Sequence, residues 1–276
     1  MTLPARSIRR RSVLLPMAAC SALLLTGCGS GGSGGTTVKG VHLAKAGQLT
    51  TCTHLPYPPF QFEKGGKVVG FDVAMIDLVA EELGVKQVVV DKSFETIKTG
   101  ADLNANTCDV AAAGMTITDE RKQNLDFSAP YFDATQALLA RKGLKVDSLK
   151  DVTSKKLKLG SQSSTTGEDF ARKAGADSRS FESSDAELNG LRTGQVDVII
   201  QDFPVVQSWL KDSRTAAKFE LVGNLDTGEQ YGFAVKKGGN PQLLKKIDAA
   251  IAKARKDGTY RKLHEKWIGP LPEDAR

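Results

Sequence analysis

The chain has 276 residues, 40% hydrophobic and 25% charged, the composition of a soluble globular protein with room for one large or two modest domains. Its formal charge of +6 is inflated by Arg6, Arg9, Arg10 and Arg11, which lie in an N-terminal stretch without acidic residues; without these four the balance is about +2. That is too little to argue for a nucleic-acid partner.

Residues 1–27 read as a secretory signal, with a basic start and then an apolar stretch over 13–25 that is too short for a comfortable membrane span. The sequence Leu25-Thr26-Gly27-Cys28 resembles the lipobox of bacterial lipoproteins. That resemblance implies a lipid on Cys28 and a protein exported and anchored to the outer face of the cell membrane. Residues 28–46 then read as a flexible Gly/Ser tether. An ordinary cleaved signal with an accidental cysteine is the competing reading.

A strand is expected over Gln48–Thr53. The loop after it, HLPYPPF over 54–60, is stiffened by three prolines and can hold Tyr57 and Phe60 at a strand end. Gly65-Gly66 marks a hairpin turn. Phe71, Met75, Leu78, Val79 and Leu83 share a face at helical spacing, which predicts a helix over 71–83 closed by Gly84. Asp72, Asp77, Glu81 and Glu82 then make its solvated face. A strand over 85–90, a short helix or turn over 94–103 and an apolar strand over 108–113 complete the first unit.

That strand breaks at Gly114, and a helix starts near Thr118. A strand that ends in a small-residue turn and re-enters as a helix leaves free backbone N–H groups at the positive end of a dipole, which is an anion site. Arg121, in the first helical turn, can grip the same anion with its planar fork, and Thr116 adds a hydroxyl. A carboxylate suits this set. A capped surface helix with a solvated arginine is the alternative.

Further strands are expected over 135–141 and 156–160. A polar run over 161–167 leads into a helix near Glu168 with Thr166 as N-cap. After a helix-like segment over 188–193, the apolar strand 195–201 ends at Asp202, read either as a cap for the next helix or as a charged group at a strand end. Another strand covers 230–235. Asn240-Pro241 starts a helix with Pro at its first position, Leu244, Ile247, Ile251 and Ala254 as its buried stripe, and Gly258 as its stop. Tyr260, Leu263 and Trp267 read as core packing.

Alternating strands and helices predict an α/β fold with mainly parallel sheets and a ligand site at the carboxyl ends of strands. Residues 54–60, Phe94 and 114–121 can share one such cleft. Two units suggest two lobes, over 47–136 and 137–229, with 230–276 returning to the first. If the strands of Cys52 and Cys108 are neighbours, a disulfide joins them; otherwise both are buried thiols. The chain carries no CxxC, HExxH, GxSxG or P-loop motif, and His42, His54 and His264 are dispersed. No catalytic residue, metal or cofactor is expected.

The stretches TCTHLPYPPFQF, GFDVAMIDLVAEELG, CDVAAAGMTITDERKQNLDFSAPYF, STTGEDFA, GQVDVIIQD, QYGFAV and DGTYRKLHEKWIG resemble, in order and spacing, the type 3 extracellular solute-binding proteins, the polar amino-acid receptors of ABC importers. The resemblance covers about 48–269. It implies the type II periplasmic-binding-protein fold, two α/β lobes joined by a two-strand hinge, in a monomer that captures a free amino acid for a permease with separate ATPase subunits. Arg121 would grip the α-carboxylate with Thr116 and Thr166. Asp202 would pair with the α-ammonium, assisted by the backbone at Ala113 and Gly114. Tyr57 and Phe94 would wall the side-chain pocket, and His54, Gln162 and Gln201 would read the side chain. Relatives preferring cationic ligands often carry an acidic residue where His54 stands, so a glutamine-like or acidic ligand is implied. Ser163-Ser164 replaces the glycine usual before the paired threonines. The same fold also serves cyclic-acid dehydratases and sensor proteins, which are the alternatives.

Overall fold

The computed structural model describes residues 35–271. The expected signal segment 1–27, the lipidation candidate Cys28 and the run 29–34 lie outside them. Within the span expected as tether, a hairpin forms from Thr36–Val38 and Val41–Leu43. Its alternation places Val41 and Leu43 inside, and Asn240 Nδ2 donates to the His42 carbonyl at 2.7 Å. The tether expectation therefore fails over 36–43, where three apolar residues find a buried partner surface.

Two five-stranded sheets form the two lobes. The first runs Lys86–Asp91, Gln48–Thr53, Val110–Ala111, Ala234–Lys236, Leu125–Phe127 in spatial order. The second runs Ser178–Phe181, Leu159–Gln162, Val198–Asp202, Phe132–Arg141, Phe219–Tyr231. Each sheet is mixed rather than mainly parallel. In each, one strand runs against its neighbours: Ala234–Lys236 in the first and Phe132–Arg141 in the second. These are the strands that follow the two chain crossings. A strand that enters a lobe from the hinge runs away from the cleft, whereas the parallel strands run towards it. The crossings lie side by side, with Tyr131 N–H donating to the Tyr231 carbonyl at 3.0 Å and Phe132 opposite Tyr231.

The helix Phe71–Leu83 forms where its apolar spacing puts it, burying Met75, Ile76, Val79 and Leu83, each worth about 1.5–3 kcal/mol of burial. Gly84 closes it at φ 76°. Gly70 opens it at φ 140°, where a Cβ would stand 2.1 Å from the Phe60 carbonyl oxygen. Asp72 departs from its expected place on the solvated face and is fully buried. It falls in the first turn, where the chain tucks under the proline-rich loop and Asp72 N–H donates to the Phe60 carbonyl. Leu55–Pro56 and Pro58–Pro59 in that loop are cis.

Cys52 and Cys108 are bonded, with Cα atoms 5.6 Å apart, because the strand Gln48–Thr53 pairs with Val110–Ala111. The bond closes a loop with a sequence separation of 56. Restricting a loop of that length in the unfolded chain stabilises by about 4 kcal/mol in the entropy account. Cys52→Ala with Cys108→Ala is expected to lower the denaturation midpoint accordingly; an unchanged midpoint in urea would show that the bond contributes nothing.

Among the described residues no helix is long and apolar enough to cross a membrane, and no group of acidic, histidine or cysteine side chains is arranged to hold a metal.

Candidate functional site

A narrow cavity lies between the lobes. His54, Tyr57, Phe94, Ala113, Gly114, Thr116 and Arg121 border it from the first lobe, and Gln162, Thr166 and Asp202 from the second. The expected residues thus converge, with one exception. Gln201 sits beneath the cavity wall, because successive strand residues point to opposite faces and the cavity side falls to Asp202. The Gln201 Oε1 accepts from the Tyr57 hydroxyl at 2.9 Å and from Asp202 N–H at 2.8 Å, and its Nε2 donates to buried Glu187 at 2.8 Å.

Arg121 is 6% exposed. Its Nη1 donates to the Thr116 carbonyl at 2.9 Å and its Nη2 crosses to the Ser164 carbonyl at 3.3 Å. Its guanidinium lies 5.2 Å from the Phe94 ring centre. Burial pulls its pKa down, while the charges of Asp202 and Glu229 act the other way. Among the described residues no carboxylate comes within ion-pair distance of it. Carbonyls take two of its five N–H donors, and a buried cation so placed is short of an anion.

The expected amide nest is weaker than the pattern implied. The helix after the turn is a single turn, Asp119–Lys122, capped by Thr118 Oγ1 accepting from Arg121 N–H at 3.1 Å. Gly114 N–H is engaged by Asp72 at 2.8 Å, and Ile117 N–H by the Gln230 carbonyl at 2.8 Å. Those two N–H groups are therefore not offered to an anion at this turn. Thr116 Oγ1 and Thr166 Oγ1 stand 3.4 Å apart across the cleft. Thr165, not Thr166, caps the helix Thr166–Lys173: its hydroxyl accepts from Glu168 N–H at 3.3 Å and donates to the Gln162 carbonyl at 2.7 Å. That leaves the Thr166 hydroxyl on the cavity side.

Asp202 occupies the cap position of the helix Phe203–Leu210 but makes no capping bond. Its carboxylate accepts from the Tyr57 hydroxyl at 2.5 Å, from the Tyr231 hydroxyl and from Gln136 Nε2 at 2.5 Å. These donors come from the first lobe and from the two hinge strands. Burial, and then the charge of Glu229, push its pKa up to about 6. Burial and Asp202 push both phenols up as well, so they remain donors.

His54 has Nδ1 at 2.8 Å from the Lys92 carbonyl and Nε2 at 3.1 Å from the Glu182 carbonyl of the opposite lobe. Two residues on the cavity escaped the pattern reading, Gln61 and Thr165. Gln61 is fully buried; its only signal is a polar side chain inside an aromatic, proline-rich run. The carboxamide oxygens of Gln61 and Gln162 have no partner among the described residues. Gln136 and Tyr231, which hold Asp202, come from the two hinge strands and carry no local signal.

Two mixed α/β sheets, a double crossing and a buried interlobe cavity with separated charges define a two-lobed solute-binding protein of the type II periplasmic class. Residues 49–270 match the model of the bacterial extracellular solute-binding proteins, family 3, and the chain belongs to that family. It is 32% identical over 257 residues to a probable histidine-binding protein of Neisseria gonorrhoeae, covering 91% of this chain and 92% of that one. It is 32% identical over 211 residues to the ABC transporter glutamine-binding protein GlnH of Bacillus subtilis, covering 76% of each. A solved ancestral arginine-binding protein bound to glutamine superposes with a TM-score of 0.74 at 40% identity, covering 81% of this chain and 98% of that one.

Proposed function

We propose that this chain is the substrate-binding component of an ABC importer, which closes its two lobes on a free polar L-amino acid and delivers it to a membrane permease. The carrying observation is the buried Arg121 guanidinium, short of an anion, facing a cavity whose other lobe presents Asp202. In this reading Arg121, Thr116 and Thr166 take the α-carboxylate. Asp202 takes the α-ammonium, with the Ala113–Gly114 backbone. Tyr57, Phe94 and the His54 ring flank the side chain, and Gln61 and Gln162 read its polar end. Full pairing of both charges requires both lobes, so the ligand favours the closed state.

A glutamine-like side chain suits the subsite best. Asp202 is the only carboxylate bordering the cavity among the described residues, and two unpartnered carboxamide oxygens there ask for N–H donors. An acidic side chain is the second candidate. Binding without turnover is the reading for His54, since both its nitrogens face backbone carbonyls and leave no ring nitrogen for general-base work. A thermal-shift panel of L-amino acids, with mass analysis of the best hit, tests this. Stabilisation without product supports a binding protein; product formation supports a dehydratase-like enzyme.

We also propose that Cys28 carries the lipid that holds the protein at the outer face of the membrane. Cys28→Ala is expected to move it from the membrane fraction to the medium; retention in the membrane fraction would refute the anchor.

A further inference from the structure

A fully buried carboxylate stands behind the cavity without bordering it. Asp72, the second residue of the helix Phe71–Leu83, turns neither oxygen to its own helix. Its Oδ2 accepts from Gly114 N–H at 2.8 Å and its Oδ1 from the Tyr131 hydroxyl at 2.6 Å. The N–H and the C=O of one planar trans peptide point in opposite directions. With Gly114 N–H aimed at Asp72, the Ala113 carbonyl is turned away from Asp72, and among the described residues nothing donates to it. Ala113 and Gly114 both border the cavity.

Gly114 makes this orientation easy to lose. It sits at φ +55°, and a Cβ there would stand 2.8 Å from the Tyr57 ring. Glycine crosses between positive and negative φ at little cost, so an unanchored peptide could turn its N–H towards the cavity. An N–H there would oppose a bound ammonium.

We propose that Asp72 is a positioning residue that locks the Ala113–Gly114 peptide with its carbonyl towards the cavity, as an acceptor for the ligand's α-ammonium. The assignment rests on the amino-acid reading given above. The same carboxylate reaches the other ammonium partner through the hinge. Tyr131 N–H donates to the Tyr231 carbonyl, and the Tyr231 hydroxyl donates to Asp202. Tyr131 is itself held flat on Phe233, with ring centres 4.0 Å apart. Asp72 thus fixes one acceptor directly and braces the strand that carries a donor to the second.

The test compares L-glutamine with its des-amino analogue, glutaramate, by NMR titration, which reaches millimolar affinities. If another amino acid leads the panel, that amino acid and its des-amino analogue replace the pair. Asp72→Ala is expected to weaken L-glutamine by at least about tenfold, the cost of an unsatisfied buried polar group. Glutaramate, which has no ammonium, is expected to change less than about threefold. Asp72→Asn is expected to recover most of the loss, because its amide oxygen still accepts from Gly114 N–H. A merely structural role would weaken both probes equally, and that result, or no change in either, overturns the proposal. Should Asp72→Ala fail to fold, Tyr131→Phe removes one anchor and keeps the ring on Phe233. A two- to fivefold loss confined to L-glutamine then supports the proposal, and an equal or absent change overturns it. Wild-type binding with unaffected variants leaves the function standing and removes only Asp72. A wild-type protein that binds no amino acid overturns the function and this assignment together.

Discussion

Arg121→Ala is expected to weaken amino-acid binding by about thirtyfold or more, the equivalent of at least about 2 kcal/mol. The ligand's α-carboxylate would be left in a site already stripped of water, with the Thr116 and Thr166 hydroxyls as its remaining side-chain partners. Removing one partner of a buried charge pair costs mostly because the other is stranded. Arg121→Lys is expected to be nearly as poor. A point charge on a flexible stem cannot hold two carboxylate oxygens while also meeting the Thr116 and Ser164 carbonyls that orient the guanidinium. The ligand-free Arg121→Ala protein should melt at or above the wild-type temperature, because the substitution removes a buried cation that lacks an anionic partner. Calorimetry showing wild-type affinity in Arg121→Ala would remove Arg121 from the site. A lowered melting temperature would show that the guanidinium stabilises the empty fold.

Affinity is also expected to depend on pH through Asp202, whose pKa in the ligand-free protein is pushed up to about 6. Above about pH 7 the carboxylate is charged and affinity is flat. Below about pH 6 it is protonated, and the ammonium must displace that proton. Binding then weakens towards tenfold per pH unit and releases a proton. The sign for folding is opposite. A carboxylate whose folded pKa lies above its unfolded value contributes stability that is fully present below the unfolded value and is lost as pH rises through about 6. Acidification from pH 7.5 to 5 should therefore let Asp202 add to the stability of the ligand-free protein while affinity for the amino acid falls; His264, whose pKa burial lowers, acts on stability in the opposite direction. Asp72, also pushed up to about 6 by burial, titrates in the same window. Asp202→Asn separates the two: it should weaken binding at neutral pH and flatten most of the acid limb of the affinity profile. An Asp202→Asn protein with the wild-type acid limb would assign the titration elsewhere.

Much of the fold is legible in the sequence where structure is local. The helix Phe71–Leu83 is marked by its apolar spacing and by Gly84, and the helix Pro241–Lys256 by Asn240-Pro241. The Cys52–Cys108 bond follows once their strands are neighbours. Ten of the eleven residues expected from the sequence to meet the ligand border one cavity, because each stands at a strand end, in the loop after it or in the first turn of the helix that follows. What stayed hidden depends on partners far along the chain. Asp72 looks solvated by helical periodicity, yet its partners are Gly114 and Tyr131, 42 and 59 residues away. Gln201 and Asp202 are adjacent polar residues at a strand end, and only the register of that strand decides which one meets the cavity. Thr165 and Thr166 are equally good helix caps by residue type, and the Gln162 carbonyl selects Thr165. The antiparallel strands follow from the hinge geometry, which no local pattern carries.

The most direct test is a crystal structure with the tightest-binding amino acid of the panel. It is expected to show the Arg121 guanidinium on the α-carboxylate from the first lobe and Asp202 on the α-ammonium from the second. A ligand seated outside this cavity, or held at both charged ends by a single lobe, would contradict it.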